Sequence, residues 1–381
     1  MSLLFQPIDL RGLTLPNRIV VEPMTQFSAD DGAAGDWHLM HLGQYAVGGA
    51  GLVLTESTYV APESRNTPMC LSLYNDAQEL GLARIKSFFD AYGAARFGVQ
   101  LCHAGRRASA KEPWLGGGPR QVEEGGYPSV APSPIPISAK WPTPRELAID
   151  EIADIRDAFV GAAHRALRAG IDLVELHCAH GYLLHQFLSP LSNRRGDQYG
   201  GSLANRMRFP LEVFEAVRAA WPADKPLGVR VSATDWVTGG WDLEQTIEFA
   251  IELDRLGCDF IDVSSAGLSE DQRITVGPGY QTPFAAAVKQ AVKMKVVAVG
   301  LISQPLQAET ILMTGQADMI GLARAMLYDP RWPWHAAHEL GIHLEYPRQY
   351  ERAHPSRKAG AGINAPGNVA PPPDMARTAT K

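Results

Sequence analysis

The run ELHCAHGY places His177, His180 and Tyr182 within six residues of one another, at the end of an apolar segment. Two imidazoles can hold a substrate oxygen by hydrogen bonds, and a phenol, with an ordinary pKa of about 10, can supply a proton at neutral pH. The same residue types would also suit two core histidines beside a packing tyrosine. A zinc site is a further reading, although no local motif supplies a third ligand. The four cysteines, Cys70, Cys102, Cys178 and Cys258, form no C-x-x-C pair, which argues against a zinc ribbon, an iron–sulfur ligand set or a disulfide framework.

Side chains at such a site need elements to position them. Eight short aliphatic or β-branched runs qualify as strands: Arg18–Val21, Gly51–Glu56, Phe97–Cys102, Ile171–His177, Leu227–Val231, Phe260–Ser264, Val296–Gly300 and Met319–Leu322. Several are apolar on both faces, as buried parallel strands are. Between them lie helical patterns. Asp76 with Glu79 reads as a capping box opening a helix that runs to Tyr92 and stops at Gly93. Apolar residues recur at three- and four-residue steps between Asp150 and Gly170, and again from Leu243 to Leu256 before Gly257. Pro305 and Gly315 bracket a further helix. Eight βα units in one chain predict a single α/β domain, a (β/α)₈ barrel spanning residues 1–354.

Two connections exceed simple turns. Residues 103–149 hold eight prolines and six glycines, which suits a lid or a site wall. Residues 178–203 follow the fourth strand with many polar side chains, and loops after barrel strands are where such folds build active sites. The last 27 residues, 355–381, hold five prolines, six alanines and no aromatic residue, and are expected to form a disordered tail. Within them Gly360 to Ala365 matches G-x-G-x-x-A, but the match follows no strand and opens no helix.

Composition narrows the function. The 381 residues carry 35 basic and 41 acidic side chains, a formal net charge of −6, which disfavours a nucleic-acid partner. No apolar run is long enough to span a membrane. The opening MSLLFQPIDLRG has no basic leader or sustained apolar stretch, so a cytoplasmic protein is expected.

The continuation HGYLLHQFLSPLSNRRGDQYGGSLANRMRF, residues 180–209, closely resembles the old yellow enzyme family of FMN-dependent ene-reductases, in particular its bacterial xenobiotic-reductase-like and thermophilic-like branch. The resemblance extends through LPNRIVVEPMTQFSADDG, GLVLTESTYVAPESR, VQLCHAGRRAS, VAVGLIS and GLARAMLYDPRWPW. It implies FMN at the C-terminal mouth of the barrel. Pro23, Met24 and Thr25 would lie along the flavin ring, and Ser57 and Gln100, ending the second and third strands, would bond its pyrimidine edge. Arg230 would set a cation beside N1 and O2, where negative charge collects on reduction. Gly300, Ala323 and Arg324 would hold the phosphate, at the position where barrels often bind one.

By the same resemblance, His177 and His180 would bind the carbonyl of an α,β-unsaturated substrate. Hydride would pass from flavin N5 to Cβ, and Tyr182 would protonate Cα. NADPH or NADH would reduce the flavin; the absence of a strand-to-helix dinucleotide fingerprint suits a nicotinamide that only visits. Three departures from the branch stand out. Thr25 replaces a cysteine, Phe27 replaces a tyrosine that contacts substrate, and Ala323 replaces a glycine. The segment PRQYERAH resembles one that carries an arginine, here Arg352, into a neighbouring subunit's site, which implies a homodimer or homotetramer. A tRNA-modifying flavin enzyme would want a basic face and an RNA-binding domain, and a dienoyl-CoA reductase would want an iron–sulfur cysteine cluster; the chain shows neither. A flavin-storage protein would have no use for His177, His180 and Tyr182 together.

Overall fold

The computed structural model describes residues 2–355. Eight parallel strands close into a barrel: β1 (Ile19–Val21), β2 (Leu52–Tyr59), β3 (Arg96–Cys102), β4 (Leu173–Cys178), β5 (Leu227–Ser232), β6 (Phe260–Ser264), β7 (Lys295–Ala298) and β8 (Met319–Leu322). Every strand read from the sequence is present, and β8 pairs with β1 to leave no edge. Helices α1 (Asp36–Ala46), α2 (Asp76–Tyr92), α3 (Ile149–Arg168), α4 (Leu203–Ala220), α5 (Leu243–Arg255), α6 (Thr282–Ala291), α7 (Pro305–Met313) and α8 (Trp332–Glu339) alternate with the strands, completing a (β/α)₈ barrel.

The boundaries differ from the sequence reading in instructive ways. Both β2 and β3 continue past Ser57 and Gln100, so these residues lie within their strands, and β7 stops two residues before Gly300. The box that opens α2 sits one residue earlier than expected. The Asn75 side chain accepts from the Gln78 amide at 3.0 Å, and Gln78 Oε1 accepts from Asn75 N at 3.2 Å. Asp76 is instead a first-turn acid, favourable near a helix N-terminus. In α3 the cap is Ala148, with Glu151 accepting its amide at 2.8 Å.

The barrel interior is filled by alternating bulk. At its N-terminal end Val20, Leu52, Leu54, Leu173, Phe260 and Met319 pack together, and a hairpin of Ile8–Leu10 with Leu13–Leu15 covers them from below. Gly98 and Gly228 keep room for this layer: a methyl on Gly98 would press on Leu54 and Leu173, and one on Gly228 would overlap the Phe260 ring. The opposite, C-terminal end is polar and is walled by the 103–148 connection. This contains three 3₁₀ turns and a two-residue ladder, Val130–Ala131 with Arg145–Glu146. Its Arg106 donates to the Leu268 carbonyl, fastening the wall to the loop after β6. Except for Pro355, the tail expected over 355–381, including the 360–365 glycine match, lies outside the described residues.

Gly228→Ala should destabilise the protein by about 1–3 kcal/mol, the usual cost of overpacking a closed core. The shift of the urea midpoint measures it, and an unshifted midpoint would mean that Phe260 can move aside.

Candidate active site

The loop after β4 places the two histidines and the tyrosine side by side. Ring centroids are 5.1 Å apart for His177 and His180 and 4.8 Å apart for His177 and Tyr182. His177 Nδ1 accepts from the Ala179 amide at 3.2 Å, which puts the proton on Nε2, as a donor for a ligand oxygen. The second ring has Nε2 2.8 Å from Ser264 Oγ at the end of β6. Burial, then the Arg230 charge, holds both imidazoles well below their usual pKa, so both are neutral. Burial raises Tyr182 to about 12 despite the Arg107 guanidinium 5.8 Å from its ring, so the phenol stays protonated.

Backbone geometry holds this loop tightly. His180 has φ +57°, and Gly181 and Gly267 meet back to back: a methyl on Gly181 would overlap the Gly267 carbonyl, and one on Gly267 the backbone of His180. Phe27, Trp236, Ala266 and Leu301 also have positive φ, each in a loop following a barrel strand. Non-glycine residues rarely adopt this conformation, and such strain gathers at functional sites. Beneath the loop, His185 on the short helix Leu183–Leu188 accepts the Gly181 amide on Nδ1 at 2.9 Å, and its Nε2 lies 2.9 Å from Asp235 Oδ1. Burial pushes the Asp235 carboxyl up. Bonds from His185, Ser189 and the Trp241 amide outweigh that and hold it below the ordinary range.

Across the mouth runs a layer of polar side chains, each from a different strand. Ser57 Oγ donates to Gln100 Oε1 at 2.9 Å, and Gln100 Nε2 donates to Glu175 Oε1 at 2.8 Å. Arg230 pairs with Asp262 at 2.7 Å and with Glu22 at 2.8 Å. A register shift in β2 between Leu54 and Ser57 lets neighbouring residues serve different partners. Glu56 accepts the Gln26 amide at 2.9 Å and lies 3.0 Å from His38, fixing the loop that carries Pro23, Met24 and Thr25.

Arg230 also lines a cavity of about 530 Å³ with Ser264, Gly300, Gly321, Ala323 and Arg324. The sequence-derived residues from β1, β2, β3, β4, β5, β7 and β8 therefore gather at one end of the barrel. Phe27 and Tyr182 pack on the same small cluster around Tyr59 and Cys102, and Phe27 also meets Trp114 edge to face at 5.6 Å. Arg352 is not brought to this mouth. It is exposed in a 3₁₀ turn, Arg348–Ala353, whose Tyr350 packs against Trp334 on the flank of the barrel. The helix after Ala323, Arg324–Tyr328, has only five residues, so its dipole is weak and Arg324 itself is the main charge there.

Sequence reasoning missed Glu22, Glu56, Glu175, Asp262 and the His185–Asp235 pair. A signal was present: a lone carboxylate inside an otherwise apolar strand, as in DLVELH and FIDVS, needs a buried partner. Among the described residues no three His, Cys, Asp or Glu side chains are arranged to hold a metal ion, and no helix is long and apolar enough to cross a membrane.

The parallel barrel gathers neutral imidazoles, a protonated phenol and a buried guanidinium around one mouth, a set able to hold an oxygen and deliver a proton, as an enzyme of the barrel class does. The profile of the NADH:flavin oxidoreductase / NADH oxidase family matches residues 3–342, and the chain belongs to that family. It is 42% identical over 353 residues to the NADPH dehydrogenase of Geobacillus sp. (strain WCH70), covering 92% of this chain and 98% of that one. With the NADPH dehydrogenase of Bacillus pumilus it shares 43% over 352 residues, 92% of this chain and 98% of the relative. Among solved structures, morphinone reductase in complex with tetrahydroNAD superposes with TM-score 0.73 at 30% identity, over 91% and 93% of the two chains. The old yellow enzyme homologue from Zymomonas mobilis gives 0.74 at 25%, over 90% and 94%. A 2-naphthoyl-CoA reductase gives 0.81 at 25%, over 89% of this chain but 52% of the other, so this chain spans about half of its length. The protein is an FMN-dependent NAD(P)H oxidoreductase of the old yellow enzyme type.

The neutral histidines have a pH signature. Their charged form is disfavoured in the folded state, so the stability they contribute is full above the unfolded pKa of about 6.5 and is lost as pH falls toward their folded values. In a ¹³C-histidine NMR titration, the His177 and His180 signals should hold their neutral shifts from pH 8 to pH 5. Movement near pH 6.5 would contradict the assignment.

Proposed function

We propose that the protein reduces the C=C bond of α,β-unsaturated carbonyl compounds (enones, enals and maleimides) and of nitro compounds, with NADPH as the favoured reductant. The observation that carries this reading is the set of neutral donors His177 and His180 beside a phenol that stays protonated, all at the mouth that Arg230 lines. Two relatives named NADPH dehydrogenase and a morphinone reductase bound to a nicotinamide analogue support it.

The mouth suits FMN in its chemistry. Arg230 offers a permanent cation toward the pyrimidine edge, together with Ser57 and Gln100. Gly300, Ala323 and Arg324 line the part of the cavity suited to a phosphate. Pro23, Met24 and Thr25 form the loop alongside. FMN, when bound, supplies the hydride that NAD(P)H has given it. His177 and His180 hold the substrate oxygen and, being neutral, strengthen their bonds as charge develops on it. Tyr182 delivers a proton to Cα, and Phe27 offers an apolar edge where the branch has a hydroxyl. Arg352 completes the site of a neighbouring subunit in a homo-oligomer.

The purified protein should be yellow, bleach with anaerobic NADPH and recover colour with 2-cyclohexenone. Tyr182→Phe should slow reoxidation by the enone about 10²- to 10⁴-fold and leave bleaching by NADPH unchanged. Equal loss in both half-reactions would deny the tyrosine its role as acid. Arg352→Ala should raise the enone KM without loss of bound flavin; an unchanged KM would remove Arg352 from the site.

A further inference from the structure

Glu22, the residue before Pro23, is 1% exposed and extends β1 by donating its amide to the Leu322 carbonyl at 3.0 Å. Space is kept for its carboxylate by Gly321 on β8, where a methyl would overlap it. Oε2 lies 2.8 Å from Arg230 Nη2. Arg230 Nε lies 2.7 Å from Asp262 Oδ2, and Glu175 is the third carboxylate near the same guanidinium. None of the Glu22 and Asp262 carboxylate oxygens receives an aligned hydrogen bond, nor does Glu175 Oε2. The groups around Arg230 are therefore Glu22 after β1, Glu175 on β4, which Gln100 from β3 holds, and Asp262 on β6, with His177 and His180 within reach of its charge.

One cation cannot balance three anions in a dry interior. Burial raises all three carboxyls: Glu22 well above its ordinary value, Glu175 to about 8, and Asp262 upward against the pull of Arg230. Burial thus favours a proton within the cluster over three simultaneous charges. Its occupancy depends on how much of the Arg230 charge the carboxylates can claim.

Resting on the reading that Arg230 lies against FMN, we propose that Glu22, Glu175 and Asp262 form a proton-holding cluster that sets the flavin potential, and that Glu22 is its controlling member. When the flavin takes two electrons and one proton, negative charge arrives on the far side of Arg230. The carboxylates lose part of their counter-charge, and one of them takes a proton from solvent. Reduction then consumes two protons per two electrons, one on the flavin and one on a carboxyl oxygen of the cluster.

Spectroelectrochemical titration of the holoenzyme between pH 6 and 9 reads this directly. A tenfold change in proton activity is about 30 mV for each proton in a two-electron couple, so the expected slope is about 59 mV per pH unit. A slope of about 30 mV overturns the proposal. Glu22→Gln should fall to a slope of about 30 mV, so that it favours the reduced flavin about tenfold more than wild type, about 30 mV, for each pH unit above 6, with the gap closing toward pH 6. Equal potentials throughout, or a gap independent of pH, also overturn it. Should the variant fail to fold, the reduced-minus-oxidised infrared spectrum of the wild type decides: a new protonated-carboxyl C=O band is expected, and its absence refutes the cluster. Arg230→Lys separates the two readings, since an unchanged flavin spectrum and potential would remove Arg230 from the flavin and the proposal with it.

Discussion

A single guanidinium, Arg230, sits among three buried carboxylates at the mouth of the barrel, and the surrounding arrangement answers to the cost of that burial. A charge removed from water needs partners of opposite sign and donors for the remaining lone pairs. The barrel supplies them strand by strand: Asp262 from β6, Glu22 after β1, and Glu175 from β4, itself tied through Gln100 to Ser57. Desolvation pulls the Arg230 pKa down, but the three carboxylates outweigh it and raise the pKa above its usual value. No pair of strands could build this layer alone, because its members come from five of them and from the residue that follows β1, and meet only when β8 closes against β1. Closure is therefore a condition of the electrostatics as well as of the hydrophobic packing below.

Above that charged layer the loops are held in shapes that chains do not adopt unaided. His180 and Leu301 carry positive φ, and Gly181 and Gly267 let two loop backbones touch. The restraint comes from buried polar bonds. His185 accepts from Gly181 and pairs with Asp235, Glu56 accepts from Gln26, and Arg107 donates to the Gly267 carbonyl at 2.7 Å. These groups fix the loops that carry His177, His180 and Tyr182, and a site held in advance loses less free energy to reorganisation during reaction.

Much of this frame was legible in the sequence, for physical reasons that also mark the limit. Strands such as Phe260–Ser264 and Met319–Leu322 are short apolar runs between helix stops, so their existence and bounds follow from local pattern. Gly170, Gly257 and Gly315 end helices because each takes the left-handed conformation. The α2 cap was misplaced because Asp76/Glu79 and Asn75/Gln78 are both acceptable boxes, and only the backbone turn at Asn75 selects between them. Roles for His177, His180, Tyr182 and Arg230 came from resemblance to a family, and the fold brings those four together. Arg352, whose role was also drawn from that resemblance, stays exposed on the flank, away from those four. Glu22, Glu175 and Asp262 were passed over because a carboxylate in a strand shows its significance only once the inner face of the barrel is known.

The mouth thus has two sides of different electrical character, and the difference bears on how each works. On one side the histidines are held neutral by burial and by the Arg230 field, so they present dipoles rather than charges to the mouth. A neutral donor binds a neutral ground state weakly and gains most as the oxygen becomes anionic, which is the differential binding that catalysis requires. A protonated histidine would bind such an oxygen more tightly from the outset and would repel the buried Arg230 charge. Arg230 therefore acts on both sides at once: it keeps the imidazoles uncharged while its own charge is divided among Glu22, Asp262 and Glu175. The balance between those demands, more than any single contact, explains why three carboxylates are packed where one would satisfy the cation.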